Sequence, residues 1–311
     1  MSLRQIVPTL GALALSTAVS AIEVGDLTIG GFVDTVLKIE TSDGSGSTGF
    51  DDSIMDFSAD AELQFGYNIG DAVSAQVDVQ LNDDLASDDL TVEQAYVSWA
   101  INDQATLTMG KVETLIAYEA VDAPDLWRVT YSLAAELSGE STTGLNIGFA
   151  PSEQVAVDLY IADGIYSNDE NGSAAGKLTS DLSFGVSVVF SSETFFVDFD
   201  LAVDTGGDQT TAEEDITVFA VNGEFTGVEN LTVFGDLLSK GDDATDTMAL
   251  MVGANYQIDD SKSVTGMLSY LDEEQDDGAS MELAVALLTN PTGDANFAVN
   301  YELAMYMADD A

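Results

Sequence analysis

Carboxylates are the only chemically active side chains that this sequence carries in quantity. Its 311 residues hold 56 Asp and Glu against 7 Lys and Arg, a formal net charge of −49, with neither His nor Cys. The missing histidine removes every Ser-His-Asp arrangement, the H-E-x-x-H zinc site and the commonest general base near neutral pH. The missing cysteine removes thiolate metal sites and disulfides. Two carboxylates can still act together as acid and base, but among 56 of them the proximity of any pair carries no information. No acid-rich stretch has the D-x-[DN]-x-[DN]-G-x5-E spacing of a calcium loop. The sequence therefore assigns no catalytic residue, no metal site and no cofactor. So negative a chain repels phosphate backbones, which excludes nucleic acid as a partner.

What gives the carboxylates meaning is how they alternate with apolar residues. Val73, Ala75, Val77, Val79 and Leu81 share one face of a strand, and Ser74, Gln76, Asp78, Gln80 and Asn82 share the other. Val155, Val157, Leu159 and Ile161 oppose Ala156, Asp158 and Tyr160 in the same way. Phe195, Val197, Phe199, Leu201 and Val203 oppose Phe196, Asp198, Asp200, Ala202 and Asp204. The period of two returns in 248–258 and in 297–307, where Glu302 lies on the polar face. Successive side chains of a strand point to opposite faces, so each segment is a half-apolar ribbon. A second population of carboxylates, such as Asp83, Asp84, Asp88 and Asp89, falls in Gly-, Asn- and Ser-rich clusters between ribbons, where turn chemistry explains them. Low hydropathy would turn such acidity into disorder; here 46% of residues are hydrophobic and mean hydropathy is +0.12.

Ribbons are expected near 27–40, 55–68, 72–82, 90–101, 104–112, 128–137, 142–150, 155–163, 177–190, 194–204, 215–226, 230–239, 246–258, 263–272, 279–289 and 295–307, about 16 in all. Long and short connections alternate along the chain, as they do in outer-membrane barrels. The first residues read differently. Arg4, an apolar run over 6–19 and the small residues Val19-Ser20-Ala21 are ordered as in an export signal, and the run is too short for a membrane helix. The expected organisation is a signal peptide over 1–21 followed by one β-barrel domain over 22–311. The expected fold is all-β, a closed antiparallel transmembrane barrel with its apolar faces to lipid and its polar faces to a lumen. In such a lumen Asp78, Gln80, Asp158, Asp198 and Asp200 line the wall, and their potential concentrates cations and excludes anions. Adaptation to a salty habitat would give the same acidity, with the same electrostatic consequence.

One stretch breaks the alternation. Residues 110–127 read Gly-Lys-Val-Glu-Thr-Leu-Ile-Ala-Tyr-Glu-Ala-Val-Asp-Ala-Pro-Asp-Leu-Trp, with Lys111 and Arg128 flanking Glu113, Glu119, Asp122 and Asp125. Gly110, Lys111, Thr114, Tyr118, Glu119 and Trp127, with Ser132 beyond, resemble the signature of the β-barrel porin-2 (OmpL-like) family over about two dozen residues. Ala117 departs from it where the family favours Gly, and 128–131 alters its serine–arginine pairing. The resemblance implies a general porin fold with a channel-constricting segment, and names no substrate. Irregular backbone at membrane depth must line a cavity. Lys111, Glu113, Tyr118, Glu119, Asp122, Asp125 and Arg128 are therefore expected at a constriction, with opposed charges setting a transverse field.

The function so implied is passive diffusion of small hydrophilic solutes, biased to cations, with no enzymatic activity. The competing reading is an exported non-channel surface protein, an adhesin or an envelope structural component. The expected partners are outer-membrane lipid and lipopolysaccharide, with loosely held divalent ions bridging to its phosphates, and a homotrimer is admitted. The last ribbon ends near Tyr306-Met307 and lacks the terminal aromatic on which such barrels usually finish.

Overall fold

The structure, a computed structural model, describes residues 5–42, 52–82, 90–113, 116, 118–119, 126–138, 141–162, 182–205, 216–241, 246–273, 278–291 and 297–308. Its strands are β1 (Gln5–Val24), β2 (Leu27–Ser42), β3 (Asp52–Ile69), β4 (Val73–Asn82), β5 (Leu90–Asn102), β6 (Ala105–Glu113), β7 (Ser141–Ser152) and β8 (Val155–Ala162), continuing with β9 (Leu182–Ser191), β10 (Phe195–Thr205), β11 (Ile216–Val228), β12 (Leu231–Gly241), β13 (Asp246–Asp259), β14 (Lys262–Glu273), β15 (Gly278–Thr289) and β16 (Phe297–Ala308). Each strand pairs antiparallel with its sequence neighbours, and β1 closes on β16, so the sheet is a closed barrel. Closure leaves no sheet edge with unpaired N–H and C=O groups, each of which would cost several kcal/mol in hydrocarbon.

The alternation read from the sequence is the alternation observed. Phe195, Phe199 and Leu201 of β10 are exposed on the outer face, whereas Asp200, Ala202 and Asp204 are buried inside. On β13 Met248, Leu250 and Val252 point outward, and Ala249, Met251 and Asn255 inward. Short turns such as 25–26, 103–104, 153–154, 229–230 and 260–261 gather at one end of the barrel. Around that end the outer face carries Tyr67, Trp99, Phe149, Phe190, Phe195, Phe225 and Tyr256, all exposed. Rings of this kind form the girdle of a barrel at the membrane interface, where their amphipathic edges meet headgroups.

One assignment changes. Residues 128–137, expected as a strand, are not one: they leave the sheet and end in a 3-10 turn over Leu133–Leu137. Arg128 and Val129 are adjacent and both buried, which a strand with one lipid face cannot arrange. The count of 16 strands is nevertheless kept, because the leader-like residues lie in β1, with Leu13 opposite Leu37 of β2 and Tyr301 of β16.

Candidate constriction of the barrel lumen

The irregular segment begins where β6 ends, and a glycine prepares its departure. Gly110 has φ of +139°, and a Cβ there would lie 2.2 Å from the Ala95 carbonyl and 2.6 Å from Tyr96 Cα of β5. Only glycine permits this backbone and this approach, which gives the first residue of the signature a structural reason. Of the residues that follow, Ile116, Tyr118, Glu119 and 126–138 are described; Thr114, Asp122 and Asp125 lie outside the described residues.

The segment is docked on the inner wall by one buried cation. Arg128 is 2% exposed. Its Nη2 donates to Glu282 Oε1 of β15 at 2.7 Å, and Nε lies 3.7 Å from Glu302 Oε2 of β16. The same guanidinium donates to the Thr130 and Tyr131 carbonyls and to Thr130 Oγ1. Glu302 also accepts from Val129 N, Thr130 N and Thr130 Oγ1 at 2.8, 3.2 and 2.7 Å, and Glu282 accepts from Ser269 Oγ at 2.9 Å. Burial disfavours the charged guanidinium, but the hydrogen bond and charge of Glu282, with Glu302, outweigh it and hold Arg128 protonated. Glu119 folds back to accept from Ser132 N and Oγ at 2.9 and 2.6 Å. Burial raises its carboxyl above the ordinary glutamate range, partly offset by Ser132 and Arg128.

The rest of the seat is apolar. Ile116, Ala134 and Leu137 pack against inward-facing Phe234 and Leu238 of β12, Met251 of β13, and Met267 and Leu271 of β14. Tyr118 and Trp127 each stack on Phe234 with ring centroids 5.4 Å apart, and Tyr118 also stacks on Phe196 at 6.3 Å. Trp127 Nε1 donates to the Tyr118 hydroxyl, which donates to Glu224 Oε2, both at 3.0 Å. Burial and the charge of Glu224 push the Tyr118 phenol above its usual range, so it stays protonated as a donor.

The segment therefore lies against the β11–β16 wall, and a different population lines β3–β6. There Glu62 accepts from Gln64 at 2.7 Å, and Asp78 accepts from Gln76 and Gln94 at 2.8 and 2.9 Å. Gln94 also donates to Glu113 at 2.8 Å. Gln80 faces inward opposite Glu62. Lys111 Nζ donates to the Val92 carbonyl of β5 at 2.7 Å.

The expected wall residues are all on the inner face, but not equally available. Asp158 and Asp198 are half-buried, whereas Asp78 and Asp200 are covered by neighbouring side chains. The larger correction concerns the charges expected to oppose one another across a narrow point. Arg128 is withdrawn from the lumen and neutralised by Glu282 and Glu302, because a guanidinium this deep must find carboxylates. Glu282, Glu302, Glu224 and Asp236 complete the seat and were not singled out for it. Their signal in the sequence is that β12–β14 carry large apolar residues (Phe234, Leu238, Met251, Met267) on the face that should be polar.

Three comparisons bear on this architecture. The sequence model of a family described as beta-barrel porin-2, OmpL-like, matches residues 27–300. No curated protein sequence matches the chain significantly. The outer membrane channel DcaP of Acinetobacter baumannii superposes with a TM-score of 0.56 at 11% identity, over 98% of this chain and 96% of that one. An anion-selective porin from Comamonas acidovorans gives the same TM-score and identity over 99% of each chain. A loop-deletion variant of OmpT, an outer membrane protein of Vibrio cholerae, gives 0.53 at 12% identity over 97% and 99%. At such identities the similarity is one of fold.

Proposed function

Because the chain belongs to the β-barrel porin-2, OmpL-like family, we propose that it is a passive channel of the bacterial outer membrane for small hydrophilic solutes, with a preference for cations. The preference is carried by one observation. Asp200 and Asp236 are buried on the inner face, and Asp158, Asp198 and Glu224 stand in register with its buried residues, while the cation of the constricting segment is spent on Glu282 and Glu302. A narrow lumen with low-dielectric walls focuses that negative potential. The anion-selective relative shares the fold and no more, so the sign of selectivity belongs to the charges of each chain. Reconstitution in planar bilayers tests this. Under a tenfold KCl gradient the reversal potential is expected to move toward the cation limit of about 59 mV. Reversal on the anion side would overturn the preference, and an absence of conductance steps would overturn the channel.

Export through a leader ending at Ala21 belongs to the same proposal, with 22–311 as the barrel domain. Cleavage there removes most of β1 from between β2 and β16, so the cleaved chain cannot retain the seam of the full one.

A further inference from the structure

The inward carboxylates that carry the cation preference also have an arrangement of their own. On the inner face, Asp198 of β10, Asn222 of β11 and Asp236 of β12 stand in register on successive strands, and Asp158, Ser187 and Asp200 do so on β8, β9 and β10. Asp200 is 2% exposed and Asp236 4%. Each has one carboxylate oxygen, Oδ1, without a hydrogen-bond partner among the described residues. The other oxygens are engaged: Asn222 Nδ2 lies 3.4 Å from Asp200 Oδ2, and Tyr118 N lies 3.3 Å from Asp236 Oδ2. Asp158, Asp198 and Asp236 all act on Asp200 electrostatically, and among the described residues no Lys or Arg is paired with any of the four. A buried carboxylate oxygen left without a partner is costly, and a cation would complete it.

The geometry restricts which cation. Among the described residues no three acidic side chains converge as a metal ion requires. Asp198 and Asp236 instead stand two strands apart, about 10 Å between backbones, a span suited to a molecule with charges at its two ends. Beside them are aromatic surfaces. Phe196 faces Glu224 in register, and Tyr118, Trp127 and Phe196 are half-buried in the stack around Phe234. Such rings attract alkylammonium groups and the methylenes between them. We infer that this belt is a binding station for organic cations bearing two or more ammonium groups, diamines and longer polyamines, which the channel holds briefly on their way through. The inference rests on the channel reading above for its transport role, and on the belt alone for binding.

The test separates the two. In the full-length Trp99→Phe protein, detergent-solubilised, Trp127 is the remaining tryptophan and reports on the belt directly. Titration with 1,5-diaminopentane or spermidine is expected to change its fluorescence saturably, while KCl at matched ionic strength does not. Asp236→Asn is expected to weaken that response about tenfold, the loss of one charge-assisted bond. Asp198→Asn serves as a second variant should Asp236→Asn fail to show the heat-modifiable gel migration of a folded barrel. No saturable change, or an equal change with KCl, overturns the station; a response to CaCl2 alone makes it a metal site and overturns the organic cation. In bilayers the same diamines are expected to interrupt potassium current, with dwell times about tenfold shorter in Asp236→Asn. Cation-selective conductance without such interruptions refutes this inference and leaves the channel standing. Saturable fluorescence binding without conductance refutes the channel and leaves the station.

Discussion

Replacing Arg128 by Met, which has similar reach and no charge, is expected to release the segment that follows β6 while leaving the barrel closed. Arg128 joins the segment to two carboxylates on β15 and β16 and satisfies three acceptors within the segment itself. Removing one partner of a buried ion pair costs about 3–5 kcal/mol, because Glu282 and Glu302 are left buried and uncompensated. Since ~1.4 kcal/mol is tenfold, the ratio of docked to undocked segment falls between about a hundredfold and a few thousandfold. The apolar seat of Ile116, Leu137 and Phe234 remains, so the segment should fluctuate rather than leave. The ladder of paired strands does not depend on Arg128, so heat-modifiable migration should persist. Single-channel recording should then show a larger mean conductance with pronounced open-state noise. Adding Glu282→Gln and Glu302→Gln removes the stranded charges and should recover much of the quiet, lower-conductance state, as buried ion pairs exchanged for neutral groups often do. An Arg128→Met channel with wild-type conductance and noise would refute the assignment of Arg128 as the anchor. So would a triple variant noisier than the single one.

Three further outcomes follow from the same geometry. The Glu119 carboxyl is raised by burial, so the docked state binds more protons than an undocked one. Docking is then strongest below the ordinary glutamate value and weakens as pH rises through the docked-state value; open-channel noise should grow over that interval, and Glu119→Gln should flatten the dependence. Gly110→Ala forces a Cβ to within 2.2 Å of the Ala95 carbonyl at a backbone angle hostile to L side chains. It should cost about 1–3 kcal/mol, read as a lower thermal midpoint or reduced assembly yield, and an unchanged midpoint would remove the packing reason for this glycine. N-terminal sequencing of protein extracted from the outer membrane should begin at Ile22, and recovery of intact Met1 would discard the leader and leave β1 as a resident strand.

The sequence alone determined the two faces of the sheet. A strand sends alternate side chains to opposite faces, so the period of two in 155–161, 195–204, 248–258 and 297–307 is written locally and needs no partner to be read. The irregular stretch after Gly110 was legible for the same reason, as a failure of that period together with a family resemblance. Val129, Thr130 and Tyr131 are good strand formers, which agrees with the strand expected over 128–137. What overrides that propensity is Arg128, whose carboxylate partner Glu282 lies 154 residues away in sequence. Only closure of the barrel brings β15 and β16 beneath the segment, turns the doubled apolar faces of β12–β14 into its seat, and withdraws from the lumen a charge that the sequence placed at its narrow point. The oxygens of Asp200 and Asp236 that have no partner among the described residues were decided in the same way. Being acidic is a property of the residue, but lacking a partner is a property of everything folded around it.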